Sequence, residues 1–425
     1  MAERTPKNYR NQVLYSVFVR NYSQEGTFEA VRKDLDRIKA LGVDILWLMP
    51  IHPIGEKARK GTWGSPYAAK DFRAITADYG TKEDLQRLVD TAHEKGMKVI
   101  MDIVYNHTAP DSWLAAHHPE WFYHKPDGSF GNKVGDWYDI IDLDYRQKGL
   151  WDYQIETLKQ WAEIFDGFRC DAAPLIPMAF WQKAREEVEA VCPGCIWLGE
   201  TVEPHFVRIL RSHGMVGHSD SEAMQIFDIC YEYDSYVVYR KYLQGEIPLS
   251  TYTEAMNWQE SVYPDYYVKL RFLENHDRPR AAQDIPDARM RRNWTAFLYF
   301  QKGMVMLFNG QEVSNAHRPR LFEKDPVDWT AGQDISPMLR KLYEIRQDAL
   351  FADSAYDVQA LPRDVIYATH TKGDQKLLGW FSVRGESTTV KTDLPDGIYE
   401  NLLGGTVDIY EGSFGLAGEP VILRV

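Results

Sequence analysis

The chain has 425 residues, of which 44% are hydrophobic and 26% charged, a composition suited to one large soluble domain plus a small one. Its net charge of −13 argues against nucleic acid or an anionic membrane surface as a partner and favours a neutral or cationic one. Aromatics reach 13%, a share that serves sugar-binding clefts and ordinary cores alike.

Residues 13–19 (VLYSVFV) read as a first buried strand. A helix is predicted from Thr27 to Leu41, with Phe28, Val31, Leu35, Ile38 and Leu41 on one stripe, Thr27 as N-cap and Gly42 just past its end. Val43 to Met49 is a second continuous apolar strand, followed by a loop rich in Gly, Pro and charge. Thr81 and Asp84 resemble a capping box opening a helix that buries Leu85, Leu88, Val89 and Ala92. Met97 to Tyr105 is a third strand. Near-continuous apolar strands alternating with helices are what a parallel sheet covered on both faces requires.

Residues 107–145 break the alternation, with Pro, Gly, Trp and Tyr in little periodic order, and read as a small insertion. A helix at 149–165 leads into Asp166-Gly-Phe-Arg-Cys-Asp171 as strand four. A helix at 178–191 leads into Cys195-Ile-Trp-Leu-Gly-Glu200 as strand five. Weaker strand signals lie at 224–229 and 270–275, and a clear one at Met304 to Phe308. Eight strands with intervening helices specify a (β/α)8 TIM barrel, an α/β fold whose site lies at the carboxyl ends of the strands. After a helix at 336–350 come short β-rich runs separated by Gly, Asp and Pro, a small antiparallel β domain. The expected division is residues 1–106 and 146–352 for the barrel, 107–145 for the insertion and 353–425 for the C-terminal domain.

Cysteines number four, too few for a disulfide framework. Cys192-Pro-Gly-Cys195 lacks the second pair that would complete a zinc site and reads as two thiols on a turn. No run approaches a membrane span, and the first twelve residues carry no apolar signal core, so a cytoplasmic setting is expected.

In a strand, Arg169 and Asp171 share a face. A guanidinium beside a carboxylate keeps it ionised, which suits a structural ion pair and equally a nucleophile. Glu200 ends strand five, Asn275-His276-Asp277 ends strand seven, and Asp102 with Asn106-His107 ends strand three. Side chains ending different strands converge on one mouth. Three carboxylates with an Arg and two His form the kit for glycosidic bond cleavage, in which one carboxylate attacks the anomeric carbon and a second, kept protonated, serves the leaving oxygen.

Asp102-Ile-Val-Tyr-Asn-His107, Gly167-Phe-Arg-Cys-Asp171, Gly199-Glu200 and Glu274-Asn-His-Asp277, in that order and each at a strand end, resemble the motifs of the α-amylase family of glycoside hydrolases (family 13). Residues 142–144 (Asp-Leu-Asp) look like the family's extra motif near the end of its inserted domain. The resemblance implies that Asp171 is the nucleophile, Glu200 the general acid/base and Asp277 the third carboxylate, which grips sugar hydroxyls. It implies that Arg169 holds Asp171 ionised, that His107 and His276 donate to the sugar being cleaved, and that Tyr67 is the aromatic platform beneath it. Pro174-Leu175 stand where many starch-degrading members have Lys-His, a departure that weighs against long-starch specificity. Ala172 resembles the residue found there in members acting on α-1,4 links.

The resemblance implies no required cofactor. Family calcium sites use an Asn like Asn106 and often an Asp like Asp142; two ligands make no full set for a divalent ion, so calcium is left open rather than expected. The leading expectation is a retaining hydrolase of malto-oligosaccharides or related α-glucans. A transglycosylase passing the same covalent intermediate to a sugar, and a non-catalytic sugar-binding protein on the same fold, are its competitors.

Overall fold

The computed structural model describes residues 5–135 and 137–425. Eight parallel strands close a barrel in which each strand lies beside its neighbour in sequence. They are β1 (Val13–Val17), β2 (Ile45–Leu48), β3 (Lys98–Ile103), β4 (Gly167–Cys170), β5 (Ile196–Gly199), β6 (Ile229–Tyr231), β7 (Lys269–Arg271) and β8 (Met304–Phe308), with β8 pairing back onto β1. Apart from the exposed Lys98, every residue of these strands is buried, the outcome expected when helices cover the outside and side chains fill the inside.

Helices fall where the apolar stripes place them, at Lys82–Glu94, Lys148–Ala162, Met178–Val188 and Ser336–Arg346. Thr81 and Asp84 do form a reciprocal capping box. The stripe from Phe28 to Leu41 belongs to two helices, Phe28–Lys33 and Leu35–Ala40, divided at Asp34, where φ is −103° and ψ 5°. Asp34 takes hydrogen bonds from Tyr22 and from Arg37 (2.8 Å), so local polar bonds, which periodicity does not register, interrupt the helix.

Strands six and seven depart most from the sequence reading. The segment 224–229 is mostly turn: Ser219 and Glu222 cap a short helix, Asp220–Ala223, and the buried Met224, Ile226 and Phe227 follow it before β6 begins. Strand seven starts at Lys269 rather than 270 and ends at Arg271. Lys269 is fully buried, paired with Asp220 and, at 3.0 Å, with Asp234. A charged strand residue neutralised by distant partners has no apolar signature.

The insertion joins the barrel through a two-residue strand, His107–Thr108, antiparallel to Ile141–Asp142. The C-terminal region builds a four-stranded sheet from Ala355–Leu361, Val365–Lys372, Gln375–Ser382 and Val421–Arg424, plus two separate antiparallel strand pairs. It packs on the helix Ala288–Phe300, with Phe381 against Phe297 and Phe300 (ring centres 5.4 and 5.5 Å apart) and His370 Nε2 bonded to the Phe300 carbonyl at 2.8 Å. No helix among the described residues is long and apolar enough to cross a membrane.

Candidate active site

Adjacent strands fix the site through their register. Asp102 of β3 lies beside Arg169 of β4, and Cys170 of β4 beside Gly199 of β5. The ladder continues one residue beyond each strand: Asp171 N–H donates to Ile103 O and Glu200 N–H to Cys170 O, both at 3.0 Å. Asp171 and Glu200 are thereby set side by side at the carboxyl rim. Two glycines permit this packing. A Cβ on Gly167 would stand 2.3 Å from the Ile196 carbonyl oxygen, and one on Gly199 would stand 2.8 Å from the Phe227 ring. Directly after Asp171 the backbone turns left-handed at Ala172 (φ 45°, ψ 37°), a conformation costly for any residue with a Cβ and concentrated at functional sites. It aims the Ala172 N–H at Glu200 Oε2, 2.9 Å away.

Arg169 is wholly buried and faces three carboxylates. Its Nη1 donates to Asp102 Oδ1 and Asp171 Oδ1, both at 2.9 Å, while Nη2 lies 2.8 Å from Glu200 Oε1 without hydrogen-bond alignment. One guanidinium cannot neutralise three buried carboxylates, so a proton must be retained among them. Burial pushes Glu200 up to about 7, against the pull of Arg169 and with Asp171 and Asp277 adding to the rise. Burial also raises Asp171, but there the pull of Arg169 comes through an aligned hydrogen bond. Burial raises Asp102 as well, well above its ordinary range, but it stands behind the cleft wall and accepts from Arg169 and Tyr67; of the two Arg169 partners that face the cleft, Asp171 and Glu200, Glu200 is the one that keeps a proton. Asp277 goes the other way: although burial works to raise it, His276 at 3.1 Å, backed by Arg169 and Arg318, holds its carboxyl below the ordinary range.

The remaining predicted residues gather around this trio. Tyr67 donates to Asp102 Oδ2 (3.0 Å), bonds His276 Nε2 (2.8 Å) and stacks on the His276 ring at 5.3 Å. His107 is buried, and burial lowers its pKa against the opposing fields of Asp142 and Asp139, which leaves a neutral imidazole. Tyr67, His107, Asp171, Glu200 and Asp277 line one cleft of about 510 Å³, whereas Arg169 and His276 stand behind its wall, bonded to those that do.

A family model described as the alpha amylase catalytic domain matches residues 12–350, and one described as the bacterial alpha amylase C-terminal domain matches residues 357–423. The chain belongs to the α-amylase family. Among solved structures, an α-amylase from Lactobacillus plantarum is 45% identical with a TM-score of 0.97, over 99% of this chain and 100% of that one. A noncanonic maltogenic α-amylase, AmyB of Thermotoga neapolitana, is 33% identical with a TM-score of 0.87, over 98% and 99%. The α-amylase MalA of Haloarcula japonica is 27% identical over 423 residues, covering 93% of this chain, which spans 59% of that relative's length.

Beyond the motifs that mark the α-amylase family, the cleft recruits side chains with no motif around them. Lys60, from the loop before Tyr67, pairs with Asp139 of the insertion at 2.6 Å and lies near the Tyr138 and Phe322 rings. Trp137, Phe206 and Tyr233 add apolar wall, and Arg278 pairs with Glu203 at 2.6 Å on the rim. The sequence hinted at them only through the charge-rich loop after the second strand, which holds Lys60, and the Trp and Tyr content of 107–145. The family's customary calcium residues fit an ion poorly here. Asp142 Oδ2 accepts the Lys133 backbone N–H at 2.6 Å, and the neighbouring Leu143 carbonyl is taken by the Lys133 ammonium, also at 2.6 Å. Among the described residues no three His, Cys, Asp or Glu side chains form a metal-binding group.

Proposed function

We propose that the chain is a retaining hydrolase cleaving α-1,4 links of malto-oligosaccharides by double displacement. The observation that carries this reading is the partition of one proton: Asp171 and Glu200 sit on neighbouring strand ends against one guanidinium, and only Glu200 lacks an aligned bond from it and rises to about 7. Asp171 attacks the anomeric carbon while Glu200 gives its proton to the leaving oxygen. Glu200, now ionised, draws a proton from water as that water displaces Asp171 and returns the original configuration. Asp277, held ionised by His276, grips ring hydroxyls and favours the positive charge that develops on the sugar. Tyr67 supplies the face on which that sugar rests, and neutral His107 donates to it.

Lys60 and Asp139 limit the length of substrate ahead of the cut. They line the same cleft, and Asp139 is near enough for its field to act on His107, assigned to the sugar attacked by Asp171; on this reading few glucose units fit beyond that sugar. Short products and a preference for oligosaccharides over long starch agree with the name of the maltogenic relative. The substrate is a neutral α-glucan, in keeping with the acidic chain, and four unpaired thiols suit a reducing cytoplasmic setting.

Incubation with maltoheptaose, pullulan and sucrose, with and without an added sugar acceptor, tests the reading. Maltoheptaose should be hydrolysed with initial release of the α-anomer by NMR, and a fluorinated glucosyl fluoride should label Asp171 by peptide mass spectrometry. Initial release of the β-anomer, or labelling elsewhere, would refute it. Products carrying the acceptor in place of water would assign the transglycosylase instead.

A further inference from the structure

The contact between barrel and insertion holds a cation of its own. Asp142 and Asp144 are 2% and 6% exposed, and they line one cavity of about 440 Å³ together with Asn106 and Lys133. Asp144 has a partner in Arg146, at 2.9 Å from Nε and 2.7 Å from Nη2. Asp142 receives only neutral donors, the Lys133 backbone N–H at 2.6 Å and Asn132 Nδ2 at 3.5 Å. A buried carboxylate without a counter-charge is strongly unfavourable. The Lys133 side chain supplies that charge: its ammonium donates to the Leu143 carbonyl between the two aspartates, at 2.6 Å.

This is also the seam that joins insertion to barrel. Leu143 N–H donates to Asn106 O at 2.9 Å, and Asp142 lies opposite His107 in the short strand pair. A divalent ion needs six or more oxygens. Here one carbonyl is already occupied by an ammonium, a carboxylate oxygen is engaged by a backbone N–H, and any ion near Asn106 and Asp142 would face a positive charge.

We propose that the Lys133 ammonium is a built-in replacement for a metal ion at the base of the insertion, so that the Asp142–Asp144 segment bonded to Asn106 of the barrel is held by a covalently tethered cation and calcium is dispensable. Unlike a metal, this cation cannot be removed by a chelator and requires no supply. It also makes the seam sensitive to a single side chain.

Thermal melting by circular dichroism, on protein dialysed against EDTA and then given excess CaCl2, tests the proposal. The parent is expected to melt at the same temperature in both. Lys133→Met, which keeps the length and apolar stem but removes the charge, should lower the melting temperature by about 5 °C or more and speed tryptic cleavage within 107–145. Lys133→Arg should retain most of the stability, since the charge is kept. A parent that loses stability in EDTA and regains it with calcium overturns the proposal, as does a Lys133→Met protein that melts with the parent. Should Lys133→Met not fold, the parent's response to EDTA and calcium still decides.

Discussion

The backbone N–H of Ala172 donates to Glu200 Oε2 at 2.9 Å from a left-handed turn. The residue following the proposed nucleophile thus orients the proposed acid. Because the donor is backbone in a strained conformation, the two groups are locked to one piece of chain, and the local strain serves geometry rather than stability.

The raised pKa of Glu200, about 7, sets two pH effects. Activity should fall as pH rises through about 7, because Glu200 then loses the proton it must donate. Stability follows the same group. Its folded pKa lies above the ordinary value of 4.5, so its contribution is complete below about 4.5 and is lost as pH climbs through 7. The loss is on the order of 3 kcal/mol, at 1.36 kcal/mol per unit. Glu200→Gln cannot ionise, so its melting temperature should gain on the parent between pH 5 and 8. A constant difference across that range would show that Glu200 is not strained by ionisation.

Asp171→Asn should remove turnover by about 10⁴-fold or more while leaving the fold intact, as loss of other covalent nucleophiles does. Steady-state rates with a melting curve on the same preparation check this. A variant within tenfold of the parent would dismiss Asp171 as the nucleophile.

Arg169→Lys keeps the charge and loses the planar fork. The fork reaches Asp102 and Asp171 through Nη1 and Glu200 through Nη2, and a single ammonium cannot reproduce those directions. The proton partition between Asp171 and Glu200 should blur, so kcat should drop by on the order of 10²-fold or more and the upper limb of the pH profile should move. A folded variant with the parent's pH profile would reduce Arg169 to a bulk counter-charge.

The barrel was legible in the sequence because most of its strands are uninterrupted apolar runs, and runs of that kind survive without knowledge of their partners. Strand six was misplaced because Met224, Ile226 and Phe227 are apolar yet buried by a turn; burial alone does not distinguish a turn from a strand. Strand seven was blurred because Lys269 owes its burial to Asp220 and Asp234, residues 49 and 35 positions away. Similar reasoning applies to the cleft. Asp171 and Glu200 stand in compact motifs directly after strand ends, and Asp277 in a motif in the turn that follows strand seven, where topology brings them together. Lys60 and Asp139 meet only because two loops of irregular structure fold toward each other, and the Lys133 ammonium bonds Leu143 O, ten positions along the chain. Such pairings rest on loop geometry, which has no period to read.

Glu200→Gln should impair natural maltosides far more than an aryl glucoside, whose good leaving group needs little protonation. Azide needs no general base, so it should restore turnover of the aryl substrate and yield a glycosyl azide of retained configuration through Asp171. Equal impairment on both substrates in pre-steady-state measurements, with no rescue, would transfer the acid/base role elsewhere on the rim, with Asp277 the first residue to examine.

The Lys60–Asp139 pair makes a separable prediction about chain length. Asp139 is buried and Lys60 mostly so, with side-chain exposures of 5% and 21%, and the ammonium lies 5.1 and 5.6 Å from the Tyr138 and Phe322 ring centres. A pair this protected is far less screened than a surface ion pair, so it should stay closed in the resting protein and bar the cleft beyond Tyr67 and His107. Lys60→Ala removes both the charge and the bulk. It should open room for further glucose units and raise kcat/KM for maltoheptaose relative to maltotriose by on the order of tenfold, the equivalent of about 1.4 kcal/mol of new transition-state contact. Asp139→Ala should shift the ratio the same way, and the double variant should shift it little further, because either change alone breaks the same closure. Neither residue touches the proposed proton transfer, so the pH profile on an aryl glucoside should be unchanged. If both single variants keep the parent's ratio of maltoheptaose to maltotriose, the pair does not bound the substrate, and the limit on chain length must come from the apolar wall formed by Trp137 and Phe322.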